Sequence, residues 1–260
     1  MIRLSFSFLD LEFFLLILVR VSCFVFIAPF FSMNHTPARV RIALSVFSAA
    51  LLYTTLTPTD AVVYGTVMEY AVIVVKEAVT GLLIGFSANI CMAIVNLAGA
   101  VTDMEVGLSM VTLMDPATRE QSSVTGVFYQ YVIMLIMVVS GMYRYLFGAL
   151  ADSFLLIPVN GAVLKGENLV AAVVMFLGDY ITIGFRICLP VFCTILILNA
   201  ILGILTKVSP QLNMFSVGIQ LKVLTGLAVM FLTAKLLSGA ASFVFNEIKK
   251  VTVTFVEGMM

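Results

Sequence analysis

Long runs of apolar residues follow one another along this chain, and short polar or charged breaks separate them. A bilayer core needs about 20 residues of helix, and residues 78–102, 121–143 and 187–206 contain no charged side chain. No segment shows the sustained alternation of apolar and polar residues that a membrane β-barrel requires. The pattern predicts an all-α integral membrane protein with six or seven apolar helices in one unit. The other runs are 13–31 around Arg20, 42–57, 169–185 broken by Asp179, and 223–245 around Lys235.

Composition strengthens this interpretation. Of the 260 residues, 62% are hydrophobic and 11% are charged, whereas about 25% of the residues in a soluble domain are charged. Such a chain is either an integral membrane protein or a subunit buried in an apolar assembly. The formal net charge is zero, which excludes a nucleic-acid binder that works through a basic surface. The four cysteines form no C-x-x-C pair, and we interpret them as small buried apolar side chains.

Several charged side chains lie within or beside the apolar runs. Charges at membrane depth are costly, and they face protein or a water-filled path. These charged side chains could line an ion or proton path, or they could form structural ion pairs. The mixed signs of the charges favour ion pairs, within the chain or with a neighbouring subunit. Gly81 and Gly85 form a G-x-x-x-G pattern that is typical of close helix packing. The charged residues in question are Arg20, Lys76, Glu77, Asp179, Arg186, Lys222 and Lys235.

The segment 103–123 is too polar to span a membrane and too apolar to be a simple solvated linker. It combines three methionines, Met104, Met110 and Met114, with four acidic residues, and Asp115-Pro116 indicates a turn. Methionine is flexible and adapts to irregular surfaces. The segment could therefore plug or line a pore, or it could be an amphipathic surface loop, and its composition does not separate the two.

Enzyme signatures are missing from the sequence. There is no nucleotide-binding G-x-x-x-x-G-K-[ST] loop, no H-E-x-x-H and no G-x-S-x-G elbow. His35 is the single histidine, so a histidine-based metal cluster cannot be built within the chain. We expect a protein without catalytic activity, metal or cofactor.

Two stretches carry a resemblance to a known family. The segment 205–222, with Pro210-Gln211-Leu212-Asn213 at its centre, resembles the signature of the FliR family of flagellar export-gate proteins and of its injectisome relatives, SctT. Residues 98–103, Gly107-Leu-Ser and Asp115-Pro116 resemble the family's central segment. Gly141-Met-Tyr-Arg144 departs from the Asn-Gly-His found in many members. Supporting matches, in the family's order, are Arg20, Ala28-Pro29, Pro37, Arg39, Arg41, Glu77, Gly81 and Gly85.

The resemblance implies a fold, partners and a location. It implies a FliP-like part over about 1–165, fused to a FliQ-like helical hairpin over about 166–260, with tilted helices in a helical assembly. The partners would be several FliP-like and FliQ-like subunits, an FlhB-like switch protein and unfolded polypeptides in transit. The location would be the bacterial inner membrane, within the flagellar basal body.

The resemblance also implies roles for individual residues. It places a pore plug near 106–122, and it therefore favours the pore interpretation of that segment over a surface loop. The plug residues that it implies are Val106, Gly107, Leu108, Met110, Met114, Asp115 and Pro116. The expected subunit or gating contacts are Arg20, Glu77, Gly81, Gly85, Asp103, Pro210, Gln211, Asn213 and Lys222.

Three functions remain in competition at this point. The first is a pore-forming subunit of the flagellar export gate, and the second is the equivalent subunit of a virulence injectisome. The third is an independent small-molecule carrier, which would be expected to show internal repeats with paired broken helices. The sequence shows no such repeat, and we prefer the flagellar gate.

Overall fold

A computed structural model describes residues 8–31, 36–56, 64–110, 113–114, 121–163, 166–208 and 214–260. The predicted all-α class is confirmed. The described residues also contain one pair of two-residue strands, β1 and β2, which the sequence did not predict. The helices are α1 (Phe8–Ile27), α2 (Ala38–Thr55), α3 (Val67–Val106), α4 (Val124–Val139), α5 (Tyr143–Leu156), α6 (Gly166–Val208), α7 (Met214–Leu232) and α8 (Leu237–Glu257), with short 3-10 turns at Leu108–Met110 and Ala234–Leu236; β1 is Leu113–Met114 and β2 is Gln121–Ser122.

Helix α6 is a single element of 43 residues. The apolar pattern predicted two separate helices here, 169–185 and 187–206, and the structure shows that this prediction is wrong. Pro190 lies inside the helix, where it lacks an amide hydrogen and removes one backbone bond. One lost bond does not end a helix whose flanking residues are strongly apolar, and the hydroxyl of Thr194 donates to the carbonyl of Pro190 at 2.8 Å.

One other apolar run bends where the sequence predicted a continuous helix. The run 223–245 bends by 49° near Thr233, between α7 and α8. The run 121–143 yields α4, and a second bend follows where the run itself ends. At that second bend Gly141 has a φ of +74°, a conformation that glycine adopts without a steric penalty. In the described part of the chain, α3 and α6 are long and apolar enough to cross a membrane, and up to four spans result if each bent pair counts as one.

The chain divides into two compact units, and its helices contribute to both. Unit 1 comprises Met1–Ile90, Gly141–Met175 and Ile248–Met260, and unit 2 comprises Cys91–Ser140 and Phe176–Glu247. In unit 1, α1 crosses α3 at very short range, since a Cβ atom added to Gly81 would lie 2.1 Å from the backbone oxygen of Arg20. Gly85 is similarly close to the backbone of Phe24. The G-x-x-x-G pattern therefore serves a helix crossing inside this chain.

Candidate functional site

The connection between α3 and α4, residues 107–123, is called the α3–α4 loop below, and it belongs to unit 2. The sequence pattern placed Asp103 in a polar segment before α4, but α3 continues to Val106, so Asp103 is helical. The helix ends at Gly107, whose φ is +90° and whose amide donates to the carbonyl of Asp103 at 3.0 Å. A positive φ in this position is the usual way in which glycine ends a helix.

A short antiparallel strand pair lies within the α3–α4 loop. Leu113 pairs with Ser122, and Met114 pairs with Gln121. The pairing brings the two arms of the loop together. Asp115 and Pro116, two of the predicted plug residues, lie outside the described residues, and for Met110 and Met114 the structure describes the backbone alone.

Asp103 connects the two ends of the loop. Its side chain is buried, and its two carboxylate oxygens accept from the backbone amide of Thr125 at 3.2 and 3.3 Å. The hydroxyl of Thr125 also donates to this carboxylate. Ser123, the N-cap of α4, accepts from the amide of Gly126 at 2.8 Å. The first turn of α4 is thus capped twice, and a negative charge near a helix N-terminus is favourable.

Two glycines permit this contact between α3 and α4. A Cβ atom added to Gly99 would lie 2.1 Å from the Cα atom of Gly126. No side chain fits between the two backbones there. Because Gly99 lies one helical turn before Asp103, the same close crossing holds the carboxylate against the start of α4. The two ends of the α3–α4 loop therefore lie close together.

Apolar packing fixes the first residues of the loop against α6 and α7. Val106 is fully buried in a cluster with Val191 and Ile195 of α6, and Leu108 packs against this cluster. On the other side, a Cβ atom added to Gly226 of α7 would lie 2.5 Å from a methyl group of Val106. Of the predicted plug residues, Val106, Gly107 and Leu108 are therefore placed together at the base of the loop.

Unit 1 contains a separate polar centre. The guanidinium of Arg20 donates to the carboxylate of Glu77 at 2.6 Å, and both side chains are fully buried. The same guanidinium donates to the backbone oxygens of Ser153 and Ile157 at 3.2 and 3.0 Å. The second oxygen of Glu77 accepts from the amide of Asn160 at 2.9 Å. This network joins α1, α3 and the end of α5.

The remaining predicted contact residues are placed as follows. Arg20 and Glu77 pair with each other inside the chain, and the buried Nη2 atom of Arg20 has no hydrogen-bond partner among the described residues. Lys222 is half-buried in α7. Pro210, Gln211 and Asn213 lie outside the described residues. The sequence did not point to Thr125 or Gly126, although Ser123 directly before an apolar run is a recognisable helix-start signal.

The Gly99–Gly126 contact gives a direct test of the crossing. We expect Gly99→Ala to destabilise the protein by more than about 2 kcal/mol, since α3 and α4 would have to move apart or strain the core. Gly178→Ala in α6 is the matched control, because a Cβ atom there meets nothing within 4 Å and alanine favours a helix. Thermal unfolding of the detergent-solubilised protein measures both, and equal midpoints would contradict the crossing.

The model of a family described as "Bacterial export proteins, family 1" matches residues 11–248. Similar proteins include three named Flagellar biosynthetic protein FliR. That of Aquifex aeolicus (strain VF5) is 28% identical over 244 residues, which cover 92% of this chain and 91% of that protein. That of Escherichia coli (strain K12) is 26% identical over 235 residues, covering 89% and 87%.

The third relative, from Bacillus subtilis (strain 168), is 29% identical over 212 residues and covers 81% of each chain. These similarities extend over most of the sequence. The family match over residues 11–248 includes the α3–α4 loop and the buried polar centre of unit 1. The chain therefore belongs to family 1 of the bacterial export proteins, the FliR family whose motifs its sequence carries.

Proposed function

We propose that this chain is a pore-forming subunit of the flagellar type III protein export gate. Family membership and the flagellar names of its relatives support a role in flagellar protein export. The same relatives favour the flagellar system over a virulence injectisome. The single observation that carries the pore role is the α3–α4 loop, whose two ends are clamped together by Asp103 and whose base is packed into the apolar interior of unit 2.

The α3–α4 loop is the proposed seal of the closed gate. A pore that admits an unfolded polypeptide must not conduct ions at rest, because each elementary charge that crosses dissipates about 2.3 kcal/mol per 100 mV. The methionines of the loop would form an adaptable, water-excluding surface. A clamped base suits this role, since it would return the loop to the same place after a substrate has passed.

The proposed partners follow from the family. They are FliP-like and FliQ-like subunits, several copies of each around one copy of this chain, and an FlhB-like switch protein that would contact Gln211 and Asn213. The gate would lie in the bacterial inner membrane, within the flagellar basal body. The large apolar side chains that stay exposed support extensive contacts with lipid or other subunits: examples are Phe47 at 63% and Phe231 at 82% exposure. We assign no catalytic step to the chain.

The seal is tested by changing the chemistry of the loop without shortening it. We expect a variant carrying Met110→Ser and Met114→Ser to leak ions, so that the membrane potential of cells expressing the gate falls measurably. The matched variant carrying Met110→Leu and Met114→Leu keeps the apolar character and should stay tight. A potential-sensitive dye in a strain that lacks its own copy of the gene measures both.

Assembly serves as the control for this experiment. Each variant is purified through a tag on this chain, and native mass spectrometry determines whether FliP-like and FliQ-like subunits accompany it. A serine variant that assembles fully and keeps a normal membrane potential would contradict the seal. A wild-type chain that purifies as a stable monomer, with neither partner, would contradict the gate itself and favour the small-molecule carrier.

A further inference from the structure

A cavity lies beside the base of the α3–α4 loop, within unit 2. It has a volume of about 380 Å³, and residues of α4, α7 and the two 3-10 turns line it. This volume lies in the range of small-molecule sites, about 300–1,000 Å³. Exposed apolar side chains are common on this chain, so exposure alone does not identify a site. The concave shape distinguishes this place from the rest of the apolar surface.

The walls of the cavity favour an apolar ligand. Phe128 of α4 and Phe231 of α7 contribute aromatic rings, and Met230 contributes a flexible thioether. Thr125 also lines the cavity, but its hydroxyl donates to the carboxylate of Asp103. A polar ligand would lose hydration in such a place with little hydrogen bonding in return. The cavity therefore suits a hydrocarbon chain or ring.

An exposed cation lies next to this cavity in the chain. Lys235 directly follows Ala234, which lines the cavity, and its side chain is exposed. The neighbouring side chains of Leu232 and Leu236 are exposed as well. Among the described residues, the ammonium group of Lys235 forms no ion pair. A cation on such an apolar surface needs an anion from outside the chain, and basic pockets between helices are typical sites for lipid headgroups.

We propose that the cavity and Lys235 form a phospholipid site, with one acyl chain between α4 and α7 and the headgroup phosphate at the ammonium group of Lys235. The apolar walls select a hydrocarbon chain, and the cation selects the phosphate. The four methylene groups of lysine allow its ammonium group to reach the headgroup while its backbone stays in the turn. The proposal goes beyond the role in export and does not depend on the α3–α4 loop being a seal.

The site would connect the lipid to the residues that hold the base of the α3–α4 loop. Leu108 and Thr125 both line the cavity. The hydroxyl of Thr125, which binds Asp103, lies 3.9 Å from the sulfur of Met230 on the opposite wall. An acyl chain in the cavity would add apolar contacts to both walls. It would thereby hold α7 against the first turn of α4.

A photoactivatable lipid tests the site on the wild-type chain. The chain, purified with the subunits that accompany it, is reconstituted into liposomes that contain phosphatidylglycerol with a diazirine on one acyl chain. After irradiation, peptide mapping by mass spectrometry identifies the modified residues. We expect labelling of 124–128 and 227–234 at least fivefold greater than labelling of 170–177 in α6, which also exposes large apolar side chains.

A second probe tests the part played by the phosphate. Diacylglycerol with the same diazirine keeps the acyl chains but lacks the phosphate and its charge. It should label 124–128 and 227–234 at most one fifth as strongly as the phosphatidylglycerol probe. This comparison needs no substitution, so it does not depend on the folding of any variant.

Matched variants assign the two parts of the site. Lys235→Glu should lower labelling by the phosphatidylglycerol probe at least fivefold, whereas Lys235→Arg should keep it. Lys207→Glu changes another exposed lysine, at the end of α6, and should have no effect. Ala234→Phe should fill the cavity and also lower the labelling at least fivefold. Ala200→Phe, at an exposed alanine of α6, is its control.

Three outcomes would overturn the proposal. No labelling of 124–128 and 227–234 in the wild-type chain would mean that a protein partner fills the cavity. Equal loss with Lys235→Glu and Lys207→Glu would mean that lysine charge acts on the membrane as a whole. Equal labelling by the two probes would remove the phosphate from the site, and this result decides even where Lys235→Glu fails to assemble.

Discussion

Replacing Glu77 with alanine is expected to destabilise the protein by about 3–5 kcal/mol, the cost of breaking a buried ion pair by removing one partner. The guanidinium of Arg20 would remain fully buried without its carboxylate, which now accepts from it at 2.6 Å. The amide of Asn160 would also lose its acceptor. Thermal unfolding in detergent should show a much lower midpoint, and immunoblots should show little chain in membranes.

Two further variants test whether this loss of stability comes from breaking the buried ion pair. Glu69→Ala changes an exposed glutamate on the same helix, one that accepts from the amide of Gly65, and it should cost about 0.5 kcal/mol or less. The double variant Arg20→Met with Glu77→Leu removes both charges and replaces them with apolar side chains. Because a buried pair can be exchanged for apolar packing at little cost, the double variant should recover at least half of the loss.

The outcome that would contradict this account is a Glu77→Ala variant as stable as Glu69→Ala. Incomplete recovery of the double variant is expected in part, since the guanidinium also donates to the carbonyls of Ser153 and Ile157. Those two carbonyls, at the end of α5, would be left without this donor. A double variant less stable than Glu77→Ala alone would mean that the carbonyl contacts, rather than the ion pair, hold the centre of unit 1 together.

The sequence predicted part of this centre. Charged residues inside apolar runs indicated pairing, and the adjacent Lys76 and Glu77 point to different faces of a helix, so Glu77 needed a partner on another element. The identity of that partner was not predictable, because Arg20 is 57 residues away and no local pattern encodes such a distance. Its contacts with Ser153 and Ile157 use backbone oxygens, which every residue possesses.

The helix boundaries, too, could be predicted only in part from local sequence signals. Asp179 indicated a break in α6, but the surrounding apolar residues keep the helix continuous. Conversely, nothing in the run 223–245 indicated the 49° bend between α7 and α8. Propensities are weak compared with packing, so tertiary structure decides both cases. The end of α3 was predictable in part, since Gly107 is a typical helix terminator, yet the acidic residues before it suggested a loop.

At the candidate site, the resemblance named Asp103 but gave it no partner. The structure pairs it with Thr125, which lies across the α3–α4 loop. The contact depends on Gly99 and Gly126, and the helix that each glycine packs against is visible only when their backbones are seen to touch. In the sequence each is one small residue in an apolar run. Such a glycine is important because it allows a second helix to approach closely. Which helix this is cannot be predicted from the neighbouring residues in the sequence.

Replacing Asp103 with alanine is expected both to destabilise the protein and to make the proposed gate leak. The amide and hydroxyl of Thr125 would lose their buried acceptor, which costs about 1–3 kcal/mol. Helix α4 should remain folded, because Ser123 still caps its first turn by accepting from Gly126. The α3–α4 loop would lose the side chain that holds its two ends together. We therefore expect assembled gates that dissipate the membrane potential.

A series of variants separates the effect of Asp103 on the loop from its effect on folding. Asp103→Asn keeps one oxygen acceptor but loses the charge beside the N-terminus of α4, so its leak should be intermediate. Glu105→Ala, two residues further along the same helix, should neither leak nor lower the unfolding midpoint appreciably. In a chain that already carries Met110→Ser and Met114→Ser, Asp103→Ala should add little further leak, since both changes act on the same seal. An additive leak would assign Asp103 to the wall of the pore instead, and a tight Asp103→Ala gate would show that the clamp does not hold the seal in place.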